Sequence, residues 1–236
     1  MRPVERGAAV TVILVCGVLA GPAGAQTFDS APSRFEVAAG VGLAGGSGLG
    51  RTDAELTTNA GAPPLVLFTT TAELASSAGL DGRVGVRLTQ SLVVSAVASV
   101  SWLDLGVSIS GDSEAGGVQR LSGEQILQAR FEARVDWMLR RLRFAGGRAV
   151  PYATASIGVL QQWHQGYTIK ESGRTVLAGG GVRYVFRDRP ASRWSQAGLT
   201  AEAQVCRIRG GYHLGAESRT MPAFGLGFLT GWGRRR

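Results

Sequence analysis

Residues 124–139 read Glu-Gln-Ile-Leu-Gln-Ala-Arg-Phe-Glu-Ala-Arg-Val-Asp-Trp-Met-Leu. One alternate set is Leu127, Ala129, Phe131, Ala133, Val135, Trp137 and Leu139; the other is Gln128, Arg130, Glu132, Arg134 and Asp136. A period of two is the signature of a strand with chemically different faces. Two objects fit it: a soluble barrel with an apolar interior, or a membrane barrel with an apolar exterior.

The neighbouring segments decide between them. Phe224, Leu226, Phe228 and Trp232 oppose Ala223, Gly225 and Gly227. Leu92, Val94, Ala96, Ala98, Val100 and Trp102 oppose Ser91, Ser95, Ser99 and Ser101, while Phe35, Val37, Val41 and Leu43 oppose Glu36, Ala38, Gly40 and Gly42. A water-facing surface would carry Lys and Glu, whereas Lys170 is the single lysine of the chain. Gly, Ala and Ser with a few charges suit the cramped interior of an eight-stranded barrel. The apolar set then faces lipid.

Eight such segments run over 33–45, 79–90, 91–105, 124–139, 149–163, 174–187, 195–209 and 220–232. Each is near the ~9–11 residues that a tilted strand needs to cross a bilayer. Connections are long at 46–78, 106–123, 164–173 and 210–219, and short around 90, 140–148 and 188–194. That alternation is the outer-membrane pattern of long external loops and tight periplasmic turns. The expected fold is all-β: an eight-stranded antiparallel up-and-down transmembrane β-barrel. Ten strands are the alternative, because Pro64-Leu65-Val66-Leu67-Phe68-Thr69 reads as an extra strand or an extension of the second. The apolar phase also flips at Leu103, Leu105 and Val107, for which a β-bulge between 102 and 105 is expected.

Residues 1–25 read as a signal peptide, with basic Arg2 and Arg6, an apolar run from Ala8 to Leu19, and Ala23-Gly24-Ala25 before a cut at Gln26. Cys16 follows Val15, too bulky for a lipoprotein site. Residues 26–236 form the barrel domain and hold 23 basic and 16 acidic side chains, the signal having taken Arg2, Arg6 and Glu5. Cys206 is then the single cysteine, so neither a disulfide nor a zinc pattern is expected. An Arg-rich chain could suggest nucleic acid, but an exported protein rarely meets any.

The inward faces carry Glu36, Asp81, Glu132, Asp136 and Glu202 against Arg83, Arg87, Arg130, Arg134 and Arg183. A balanced set is what a closed lumen requires, because an unpaired buried charge costs several kcal/mol. The reading is a lumen plugged by ion pairs. Trp137, Tyr184, Phe186, Trp194 and Trp232 are expected near the periplasmic ends, with Trp102, Trp163 and Phe224 near the outer ends, as two aromatic girdles. The periplasmic turns and tail hold Arg140, Arg141, Arg143, Arg148, Arg187, Arg189, Arg193, Arg234, Arg235 and Arg236 against Asp188 alone. Arginines beside an anionic surface contribute roughly 1 kcal/mol each, so a periplasmic rim anchored to lipid phosphates is expected. A genome preferring Arg, together with a solvated tail, would leave the same pattern.

On the signal, the alternation, the loop asymmetry and the charged inner set, residues 33–232 resemble the small OmpA/OmpX-type eight-stranded outer-membrane barrels. The resemblance implies outer-membrane lipids and lipopolysaccharide as surroundings and the barrel assembly machinery as a partner during biogenesis. Barrels of this class often end on an aromatic residue; Phe224 to Trp232 matches, although Gly233-Arg234-Arg235-Arg236 follows.

Some barrels of this size are lipid A-modifying enzymes. His164, His213, Ser172, Ser218, Glu171 and Glu217 can be assembled on paper into a His/Ser/Glu set. The compact His-x-Ser pattern of a lipid A deacylase is absent, and outer loops commonly carry such residues. The Gly-rich stretch 178–182 lies within a strand and lacks the Lys of a phosphate loop. No catalytic residue, cofactor or metal is expected. The expected role is structural or loop-mediated, with a narrow porin-like channel as the alternative and a lipid A-modifying enzyme behind it; the sequence does not identify the loops' partner.

Overall fold

The computed structural model describes residues 33–56, 63–112, 117–164, 169–188, 194–212 and 218–234. The signal segment, Arg189, Arg193, His213, Glu217, Arg235 and Arg236 lie outside them, as does the side chain of Trp194. Among the described residues ten strands run in order: β1 (Ser33–Ala44), β2 (Ser47–Leu56), β3 (Leu65–Leu74), β4 (Ser77–Arg87), β5 (Leu92–Ser110), β6 (Gln119–Met138), β7 (Ala149–Trp163), β8 (Lys170–Asp188), β9 (Trp194–Gly210) and β10 (Ser218–Arg234).

Eight of them close a ring: β1, β4, β5, β6, β7, β8, β9 and β10, each antiparallel to its neighbours, with β10 returning to β1. Up-and-down antiparallel closure leaves a sheet without edges, which is what a chain needs where water cannot satisfy its backbone. β2 and β3 are a separate hairpin inside the connection 46–78. β3 adds to the far end of β5, pairing Leu74 with Leu105, and β2 pairs with β3 alone. The segment from Leu65 is therefore a strand of the sheet but not of the ring. The seam between β1 and β10 ends where the Gly45 N–H donates to the Pro222 carbonyl at 2.9 Å. Pro222 has no N–H to return, so β10 continues on β9 alone while the chain turns away into β2.

The chain's described termini and the short connections share one end, the turn end; the long hairpins share the other, the hairpin end. At the turn end a 3₁₀ turn, Arg140–Leu142, opens the link between β6 and β7. The link then reverses through Ala145, Gly146 and Gly147, all at positive φ.

Inside and outside are sorted as the alternation in β6 implies. Val41, Leu43, Leu80, Val84, Ile157, Val176, Leu199, Val205 and Leu226 each leave half or more of their surface exposed, whereas Asp136, Arg183 and Arg87 are buried. A soluble monomer rarely exposes a contiguous apolar surface of more than a few hundred Å². Here such a surface encircles the ring.

At the hairpin end the polarity reverses. Asp104, Gln125, Ser172, Arg174, Arg207, Arg209 and Thr220 face out and are exposed, while Leu103, Ile126, Leu160, Leu177, Ile208 and Met221 turn in and are buried. This corrects the bulge expected between 102 and 105. Pairing there is unbroken, Trp102 with Leu127 through Leu105 with Glu124, and Leu103 and Leu105 point inward in phase with Ser99 and Ser101. The chemistry of the two faces changes, not the phase of the strand. The register shift in β5 comes later, between Leu105 and Val107.

Candidate functional site

The candidate site is the filled lumen. All ten charged residues of the inner set lie on the inner faces, and nine of them take part in direct ion pairs. Arg134 sits at the centre of one group. Its Nε is 2.7 Å from Asp136 Oδ1, and its Nη1 and Nη2 reach Glu202 across the lumen at 3.1 and 2.5 Å. Asp136 also receives Arg83 Nη1 at 3.2 Å and the Thr154 hydroxyl at 2.8 Å; Glu202 receives the Tyr152 hydroxyl at 2.9 Å. Such charge-assisted, partly bidentate bonds are roughly twice as strong as neutral ones.

The second group is nearer the turn end. Glu36 accepts from Arg87 and, at 2.7 Å, from Arg183 Nη1. Arg87 also donates to the Ser33 and Gln90 carbonyls at 3.3 and 3.2 Å. Arg130 pairs more loosely with Glu132 at 3.7 Å and donates to the Ser99 hydroxyl at 3.1 Å. Asp81 has no direct ion pair among the described residues. It borders a chamber of about 80 Å³ with Arg83, Arg130, Glu132, Arg134 and Glu202.

Above the charges the lumen is largely apolar. Leu49, Ala72, Leu74, Leu103, Leu105 and Ile126 form one buried cluster; Leu160, Leu177, Cys206, Ile208 and Met221 form another. Between them Gln162 Nε2 donates to Gln128 Oε1 at 3.0 Å, and Gln162 Oε1 accepts from the Tyr212 N–H at 2.9 Å. Each buried Leu or Ile contributes about 1.5–3 kcal/mol, so this layer is a lid with its own cohesion. Sequence reasoning missed it. Inner-face positions beyond the charges are mostly apolar in β5 through β10, with Gln128, Gln162, Thr175 and Arg219 among the exceptions, and that was the signal.

Glycines on the inner face make room for the large polar groups. A β-carbon on Gly181 would lie 2.7 Å from the Tyr152 hydroxyl oxygen, and one on Gly158 would lie 2.7 Å from Glu132 Cγ. The Gly181 β-carbon would also collide with the Ala201 carbonyl oxygen, so Gly181→Val should strain the β8–β9 pairing as well as push Tyr152 off Glu202, and cost roughly 1–3 kcal/mol or more by overpacking. Gly82→Ala, where a β-carbon meets nothing within 4 Å, should be close to neutral. Urea unfolding in vesicles distinguishes the two; equal costs would contradict the packing role.

At the turn end Arg140 and Arg141 lie in the 3₁₀ turn, Arg143 follows it, and Arg187 is the last residue but one of β8. Trp137, Tyr184 and Phe186 are exposed on the outer face at this end, and Phe35 stacks on Trp232 with centroids 5.9 Å apart. Trp102 and Phe224 are exposed toward the hairpin end, where Lys170 Nζ stands 5.8 Å above the Trp163 ring. His164 Nδ1 lies 3.4 Å from Glu124, and its ring meets Tyr212 edge-on, with centroids 5.0 Å apart. Ser172 is exposed at the start of β8, paired with Gln161. Among the described residues there is no cluster of His, Cys, Asp and Glu that could hold a metal ion.

Neither a family model nor a curated protein matches the sequence. Solved structures with a similar fold include the outer membrane protein OprG from Pseudomonas aeruginosa. It is 12% identical, with 85% of this chain and 96% of that chain covered and a TM-score of 0.49. The outer membrane protease OmpT from Escherichia coli is 10% identical, with 84% and 97% covered and a TM-score of 0.36. The outer membrane protein AlkL, solved in DMPC lipid bilayers, is 12% identical, with 86% and 89% covered and a TM-score of 0.30.

Proposed function

We propose that this eight-stranded barrel is exported by the cleaved segment 1–25 and spans an outer membrane as a non-enzymatic, plugged protein. Its hairpins are presented to the outside. The observation that carries the reading is the polarity reversal at one height around the ring. Below that height apolar side chains face out and charges face in; above it the arrangement is that of a water-soluble barrel. A lipid layer ending at that height accounts for both halves with a single boundary. The apolar stretch measures Phe35 to Leu43 on β1 and Phe224 to Trp232 on β10, within the ~9–11 residues of a tilted crossing.

The arginines of the turn end then lie at the periplasmic headgroup level, where anionic lipids attract them. The ion pairs and the apolar lid in series favour a closed lumen over a channel. The role is then structural or exercised through the hairpins, β2–β3 being the largest of those described.

Folded protein in detergent should migrate differently from boiled protein on gels, and it should be insoluble without detergent. In planar bilayers it should give no stable single-channel openings; regular openings would establish the channel instead. Altered lipid A mass spectra on expression would establish an enzyme.

A further inference from the structure

The turn end of the lumen opens into a cavity of about 70 Å³ bordered by Arg87, Arg140, Arg143, Arg148 and Arg183. No acidic side chain among the described residues lines it. Glu36, just inside, is shared by Arg87 and Arg183. One carboxylate between two guanidinium groups leaves a net positive charge at the cavity wall. We propose that this cavity is a binding site for a phosphate-type oxyanion.

A second observation points the same way. Arg183 is 4% exposed, and only its Nη1 is bonded to protein; the buried Nε and Nη2 have no protein partner. Those two nitrogens form the edge of a guanidinium that grips an oxyanion with two parallel bonds. The buried Nε of Arg143, which also lines the cavity, is likewise without a protein partner. Leaving such donors unmet in a buried site is costly, more so when they are charged. The size also fits. At roughly 10–15 Å³ per water-sized group, the cavity holds about five to seven, room for the five heavy atoms of a phosphate.

The β6–β7 link builds the outer wall. Its chain reversal at Ala145, Gly146 and Gly147 returns Arg148 beneath the barrel, where the Arg148 carbonyl accepts from the Val185 N–H at 2.9 Å. Arg140, Arg143 and Arg148 are thereby set opposite the strand residues Arg87 and Arg183. The source of the phosphate is either a lipid headgroup of the adjoining leaflet or a free phosphate.

The test uses the purified protein in an uncharged maltoside detergent, titrated with inorganic phosphate and followed by phosphorus NMR line width. Saturable binding is expected, weakened at least about tenfold by Arg143→Gln, which leaves the Glu36 and Arg134 networks intact. Repeating the titration in phosphatidylglycerol nanodiscs separates the sources. Lost phosphate binding there identifies the headgroup as occupant, and retained binding identifies the free anion. No saturable binding in detergent, or binding that Arg143→Gln leaves unchanged, would overturn the site. The cavity rests on the barrel's geometry, so its failure would leave the membrane reading standing.

Discussion

Arg134→Ala should lower the stability of the folded barrel by about 3–5 kcal/mol. Arg134 binds two carboxylates at once, and both are sheltered from water. When it is removed Asp136 keeps Arg83 and Thr154, but Glu202 keeps only the Tyr152 hydroxyl. The loss therefore concentrates on Glu202, which is left as a carboxylate facing Asp136 and Asp81 with no cation in contact. Adding Glu202→Gln to the same chain should recover much of the cost, because the unpaired charge is gone. Arg130→Ala should cost far less, since Arg130 is more exposed and its pair with Glu132 is 3.7 Å long. Urea unfolding in lipid vesicles gives all three values. A loss below about 1 kcal/mol for Arg134→Ala, the range of solvated pairs, would mean a water-filled lumen.

The second large effect is on the outside. Ile157→Arg should destabilise by about 2–4 kcal/mol, the cost of an arginine at the midplane of a bilayer, whereas Gln161→Arg should cost about 0–1 kcal/mol. Both positions are on β7 and on the same face, paired with Val176 and Ser172. They differ only in height. In a water-soluble barrel Ile157, 65% exposed, would accept arginine freely. Equal and small costs at the two positions would therefore remove the membrane boundary altogether.

The ring itself was legible because its strands obey one rule over the apolar band. On the proposed membrane reading, lipid outside and a crowded lumen inside leave each face a narrow choice of side chains, as in Phe131 against Glu132. Beyond the band the rule changes, and there the reading slipped. Leu103 and Leu105 looked out of phase since an inward position had become apolar. The hairpin of β2 and β3 was half seen, as a strand near Leu65 with no fixed place, because Arg51, Thr52 and Asp53 stand outside any such constraint. The inner charges could be counted but not paired. Arg134 and Glu202 are 68 residues apart in the chain, and sign balance does not say which acid each arginine meets. The apolar lid had a signal in Leu160, Leu177 and Ile208, on the same phase as the charges. The arginine cavity depends on how the β6–β7 link folds beneath the barrel, which spacing alone does not encode.

The seam that joins Ser33–Ala44 to the last strand has a consequence for the order of events in time. Seven of the eight pairings in the ring join sequence neighbours and can zip as the strands emerge, but the pairing of the first strand with the last must wait. Until then β1 is a bare edge, free to pair with another chain. Closing a contact across nearly the whole chain is slow compared with closing hairpins. A messenger truncated before residue 218 would thus yield not a smaller barrel but an open, adhesive sheet. Whatever escorts the chain must guard one edge from start to finish.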